Sequence, residues 1–126
     1  MLGAATVTAF LATTNGPRAR QFYATTMGLP LKTDDEFALA FDAGGIELRV
    51  QKVQAFDPQP FTALGWRVSN VGKTIAALTR KGIRFERYPF LKQDEQGVWQ
   101  APSGARVAWF KDPDGNLLSL TEVGAV

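Results

Sequence analysis

The 126-residue chain contains neither cysteine nor histidine. The first absence removes disulfides, thiol nucleophiles and thiolate metal sites together. The second removes the commonest metal ligand and the one side chain that titrates near neutrality unaided, so acid–base chemistry would fall to carboxylates, tyrosines, lysines or backbone dipoles. No apolar run approaches the ~20 residues needed to span a bilayer. The opening MLGAATVTAF lacks the basic start of a secretory signal and reads as a first strand, which makes a cytoplasmic protein with no membrane partner the expectation. Charge of one sign is also missing. The formal net charge is +2, and basic residues are scattered apart from Arg18/Arg20 and Arg80/Lys81, both near expected helix ends. A nucleic-acid face needs a concentrated basic stripe, so no nucleic-acid partner is expected. Nor is there a phosphate-cradling loop, because DAGG and DPDGN are hairpin turns without the strand-to-helix context such a loop requires.

With 45% hydrophobic and 21% charged residues, the composition is that of an ordinary globule. TVTAFLATTN reads as a strand, followed by a helix, NGPRARQFYATTMGL, opened by Asn15 or Gly16 as cap with Pro17 in its first turn. Ala19, Phe22, Tyr23 and Met27 share one face of that helix, and Gly28 ends it. FALAF and IELRV then form a hairpin across DAGG. The pattern recurs: FTALGWRVSN is a strand, NVGKTIAALTRKG a helix with Val71, Ile75 and Leu78 inward, and Gly82 its end. IRFERY, RVAWF and LLSLT complete the second set of strands, with QDEQGVWQAP in a long loop where Trp99, Asp94 and Glu95 form a lid, a dimer contact or a solvated surface.

The chain is thus a strand, helix and three strands written twice, with Asn15 and Asn70 as matching corners. FDPQP is too short a bridge to separate domains, so residues 1–126 are expected to form one domain, with a first module at about 5–54 and a second at about 61–123. Each module has one helix to cover one face of a largely antiparallel sheet. The other face is left open, and two such sheets side by side can enclose a cup.

RARQFYATTMGLPL, the corner WRVSN and especially FKDPDGNLLSL, in this order, resemble the vicinal oxygen chelate superfamily, which includes glyoxalase I, bleomycin-resistance proteins and extradiol dioxygenases. The resemblance runs from about Thr6 to Thr121. It implies an α+β fold of two βαβββ modules forming a cupped eight-stranded mixed sheet with helices on the convex side, and a homodimer. In metal-dependent members four cup-facing side chains hold a divalent ion. Matched residue by residue, those positions here are Thr8, Glu47, Ala63 and Ser119. Only Glu47 is a donor of the family type, and a divalent ion needs several anionic or imidazole ligands, so neither a metal nor another cofactor is expected.

The same positions set the expected strand parity. Thr6, Thr8 and Phe10 face the cup, with Val7, Ala9 and Leu11 beneath the helices. Glu47, Arg49 and Gln51 face it in the fourth strand and Ala63, Gly65 and Arg67 in the fifth, and the resemblance implies the same facing for Val107 and Trp109 in the seventh. For FALAF, taken as the second strand, the family pattern similarly implies that Phe37, Leu39 and Phe41 face the cup. The expected ligand-binding set is therefore Thr8, Phe10, Phe37, Leu39, Phe41, Glu47, Arg49, Arg67, Trp109 and Ser119. Aromatic walls with a few orienting polar groups are typical of small-molecule sites, and Trp109 is the ring best suited to stacking.

The leading expectation is a metal-free protein of the bleomycin-resistance type that binds a small organic ligand. The alternative is a lyase or isomerase of the same superfamily with Glu47 as general base. Desolvation would raise that carboxylate's pKa, and Arg49 or Arg67 would lower it. A third reading is a structural subunit with an empty cup.

Overall fold

Asn15 and Asn70 mark the two places where an extended strand turns into a helix. Both have nearly the same backbone conformation, φ −145° with ψ 93° and 100°. The side-chain oxygen of each accepts a hydrogen bond from the amide three residues on, Arg18 and Lys73, at 3.0 Å. Each thereby satisfies one of the amides that a helix start leaves without a partner. The computed structural model describes residues 1–124, and the chain divides into two compact units, Met1–Pro58 and Gln59–Val126.

In the first unit, a single 3₁₀ turn at Leu2–Ala4 precedes β1 (Thr8–Thr13) and α1 (Gly16–Arg20). The helix widens into a π-type segment at Gln21–Thr26, where the Met27 amide reaches back five residues to the Phe22 carbonyl. Gly28, at φ +75°, lets the chain leave the helix in a left-handed conformation. Three strands follow: β2 (Leu31–Asp34), β3 (Ala38–Ala43) and β4 (Ile46–Lys52). The sheet order is β1-β4-β3-β2, with β1 parallel to β4 and the other pairs antiparallel. Ala19, Phe22 and Tyr23 are buried with Leu48, Val50, Leu39 and Phe41. Tyr23 packs edge-on to Phe22 at 4.9 Å and against Phe41 at 5.7 Å, so its phenol belongs to the core, as its helix face implied.

The second unit repeats the plan with β5 (Leu64–Arg67), α2 (Val71–Arg80), β6 (Trp99–Gln100), β7 (Arg106–Lys111) and β8 (Leu117–Glu122). Its sheet runs β5-β8-β7-β6, again with one parallel pair, β5 with β8. Glu122 Oε1 accepts from the Val71 amide at 2.8 Å, which ties the end of β8 to the start of α2. Val71, Ile75 and Leu78 are buried, as the helix periodicity requires.

Three expectations about the elements are corrected. FALAF lies in the third strand, because Leu31–Asp34 forms the second, pairing with β3 through a register shift between Leu31 and Thr33. IRFERY is not a strand. Trp99–Gln100 pairs with the first half of β7, and residues 85–86 meet only its far end, through a Phe85–Phe110 bridge and a 2.7 Å bond from the Glu86 amide to the Trp109 carbonyl. Pro89, which has no amide hydrogen, follows closely. Trp99 is accordingly a strand residue and not part of a solvated loop. Finally, Val7 lies outside β1 and is 66% exposed, so it does not pack under a helix, whereas Leu11 does join the core.

Candidate functional site

Register decides which side chains share a sheet face, since residues opposite each other point the same way. In the first unit, Thr8 pairs with Glu47, Phe10 with Arg49 and Ala12 with Gln51. Thr8, Phe10, Glu47 and Arg49 therefore line one face, as expected, and Phe10 is 55% exposed there. The third strand is corrected. Leu39 lies opposite Val50 and Phe41 opposite Leu48, so both point into the packed layer, where each is 0% exposed. Ala38, Ala40 and Asp42 share the face of Gln51, Arg49 and Glu47 instead. Leu39 and Phe41 are core residues, and Phe37, 70% exposed, precedes the strand.

Glu47 is half-buried between two cations. Its Oε1 lies 3.1 Å from Lys32 Nζ and its Oε2 lies 3.4 Å from Arg49 Nη1. Hydrogen bonding to Lys32 and then to Arg49 holds its pKa below the usual carboxylate range, outweighing desolvation. The competition anticipated between burial and cations thus goes to the cations. The resulting carboxylate is ionised at neutral pH and a weaker base than a desolvated one. Lys32 was missed in the sequence because the strand carrying it was not recognised.

In the second unit, Gly65 lies opposite Ser119 and Arg67 opposite Thr121, while Trp109 faces Ser119 from β7 and Trp99 lies opposite Val107 from β6. Arg67, Trp109, Ser119 and Trp99 therefore share one face. Ala63, just before β5, is exposed, and its amide donates to the Leu117 carbonyl at 2.8 Å. Ser119 is nearly buried, and Gly65 explains how: a Cβ at Gly65 would stand 2.6 Å from Ser119 Oγ. The serine hydroxyl occupies the space beside a residue with no side chain.

Trp109 is the best-held large group on this face. Its Nε1 donates to Thr62 Oγ1 at 3.0 Å. Tyr88 stands edge-on to it at 5.8 Å, and Trp99 lies 6.1 Å away with its plane tilted by 34°. Phe90, largely exposed, extends the row beside Tyr88 at 5.5 Å. The segment bearing Tyr88 and Phe90 is fixed by Gln93, whose Oε1 accepts from the Tyr88 amide at 2.7 Å and whose Nε2 donates to the Glu86 and Gly97 carbonyls at 3.0 and 2.9 Å. Burial and then the nearby Glu86 carboxylate raise the Tyr88 pKa, so the phenol stays protonated as a donor at neutral pH. Tyr88 and Trp99 extend the candidate set beyond the sequence expectation; their aromatic character was visible, and their proximity to Trp109 was not.

Of the four positions matched to the metal ligands of related enzymes, only Glu47 carries a charged donor. Thr8 and Ser119 offer neutral hydroxyls, Ala63 a methyl group, and Glu47 a carboxylate already shared by two cations. Among the described residues no three His, Cys, Asp or Glu side chains gather as a metal-holding group. None of their helices is long and apolar enough to cross a membrane.

Residues 5–120 match the family model of the Glyoxalase/Bleomycin resistance protein/Dioxygenase superfamily. The chain is 33% identical over 116 residues to YraH of Bacillus subtilis (strain 168), an alignment covering 79% of this chain and 84% of that protein. Among solved structures it is similar to a superfamily member from Sphaerobacter thermophilus DSM 20745, with a TM-score of 0.76 at 20% identity, covering 97% of this chain and 99% of the other. It also resembles lactoylglutathione lyase from Agrobacterium tumefaciens, with a TM-score of 0.74 at 17% identity, covering 94% and 93%.

Proposed function

Taking as premise that the chain belongs to the Glyoxalase/Bleomycin resistance protein/Dioxygenase superfamily, we propose that it binds a small organic molecule bearing an aromatic ring, without a metal ion. The observation that carries this reading is the Trp109 cluster. An indole anchored through its nitrogen by Thr62 and set between Tyr88 and Trp99 is held ready for stacking, and a preorganised ring loses little side-chain entropy on binding. Arg67 on the same face supplies a cation to orient a polar substituent. On the first unit's face, Phe10, Arg49 and Glu47 form a second candidate contact surface.

Binding is favoured over proton abstraction by Glu47, because Lys32 and Arg49 hold that carboxylate in its weakly basic, ionised state. A thermal-shift screen of aromatic compounds, repeated with Trp109→Ala, tests the proposal. A true ligand stabilises the native protein by an amount that grows with the logarithm of its concentration over Kd and quenches indole fluorescence, and both effects disappear in the variant. Stabilisation that persists undiminished in Trp109→Ala would place the ligand elsewhere and refute this reading.

A further inference from the structure

The second unit has a groove of about 610 Å³ that shares no residue with the Trp109 face. Ile75, Ile83 and Phe85 contribute its apolar part, and Arg80, Arg84 and Arg87 its charge. Phe85 packs on Phe110 at 5.3 Å, and strand alternation puts Phe110 on the opposite side of β7 from Trp109. The groove's volume falls within the range of small-molecule sites, roughly 300–1,000 Å³.

Its charge is not neutralised from within. Arg20, Arg49 and Arg106 each have a carboxylate within 4.0 Å. Among the described residues Arg80, Arg84 and Arg87 have none, and Glu95 is the one acid on the groove wall. Attraction to the negative end of α2 accounts for Arg80, in the last turn. It does not account for Arg84 and Arg87, which lie beyond the helix. The wall opposite α2 is held in place: Asp94 Oδ1 accepts from the Gln96 and Val98 amides at 2.9 Å, and Gln96 Nε2 donates to the Gly72 carbonyl at 3.2 Å. Arg87 Nη1 donates to the Asp94 carbonyl at 2.6 Å, which uses one of its five N–H groups.

We propose that this groove is a binding site for a small organic phosphate. Its apolar body lies over Ile83 and Phe85, and its phosphate oxygens accept from the guanidinium groups of Arg80, Arg84 and Arg87. Planar guanidinium forks match phosphate oxygens two at a time, and a dianion answers an excess of cations better than a single carboxylate does. The inference is independent of the function proposed for the Trp109 face, since it uses different residues.

Phenyl phosphate is the probe, titrated into the full-length protein and followed by amide chemical shifts, with inorganic phosphate and benzyl alcohol as arms lacking the apolar body or the charge. The expected result is saturable movement of amides in 75–87 and 95–96, an unmoved Trp109 indole signal, and tighter binding than either control. Arg84→Ala and Arg80→Ala, both at exposed positions, should each weaken binding at least about fivefold, and added salt should weaken it further. The proposal is overturned by no saturable shift, by shifts centred on the Trp109 indole, or by binding that both arginine variants retain in full. Inorganic phosphate binding as tightly as phenyl phosphate would likewise remove the apolar body from the recognition and sink the proposal.

Discussion

Glu47 is where a single side chain separates the competing chemistries. Its carboxylate accepts from Lys32 and Arg49, and both bonds favour the ionised form. A group whose folded pKa is depressed contributes stability that is present above its unfolded pKa and lost as pH falls through the folded value. We therefore expect the Glu47 carboxyl carbon signal to titrate at more acidic pH than that of an unstructured glutamate, and to move upward in Lys32→Ala. A Glu47 that titrates above the unstructured reference would revive the general-base reading. Ser119 and Gly65 offer a second test at this scale. Gly65→Ala should destabilise the protein by about 1 kcal/mol, toward the mild end of overpacking because a serine hydroxyl can rotate away. Ser119→Ala should restore most of that loss in the double variant, a coupling that a denaturation cycle would detect. Additive effects of the two substitutions would contradict the contact.

The strands and helices were unevenly legible. Both helix starts could be read because each is signalled locally by an asparagine that the amide three residues on then engages. Asn15→Ala and Asn70→Ala should each lower stability by about 1 kcal/mol; urea unfolding will measure this, and no loss in either would mean that the cap observed there is energetically idle. The DPDGN turn was legible for the same reason. Asp112 Oδ1 accepts from the Asp114 and Asn116 amides, both at 2.9 Å, and Gly115 takes φ +93°. By contrast, β6 has two residues and is defined by its pairing with β7, a tertiary cause that no local pattern announces. The inverted facing of Leu39 and Phe41 has a different origin. A two-residue turn at Gly44–Gly45 puts Ala43 opposite Ile46, and counting back from there puts Phe41 opposite Leu48. The information was present in the hairpin; parity carried over from related proteins overrode it.

At the scale of the molecule, the duplication accounts for what was read correctly. A strand, a capped helix ended by a positive-φ glycine and a parallel return strand appear in both units, with Gly28 at +75° and Gly82 at +94°. That order is the scaffold on which the motifs of the family resemblance sit, and it is silent on chemistry, because one scaffold accepts many sites. Chemistry follows from what stands at the matched positions, and of Thr8, Glu47, Ala63 and Ser119 only Glu47 bears a carboxylate. A tight native-state ligand raises apparent stability by RT ln(1 + [L]/Kd), ~2.7 kcal/mol at a hundredfold excess over Kd. Added zinc, nickel or manganese should therefore leave the thermal midpoint unchanged, and a chelator should neither lower it nor release a stoichiometric ion detectable by elemental analysis. A midpoint several degrees higher with one equivalent of metal, abolished by Glu47→Gln, would mean that the ion displaces Lys32 and Arg49 from the carboxylate. The metal-free reading of this chain would then be wrong, because the two cation contacts at Glu47 would be a resting arrangement and not the working one.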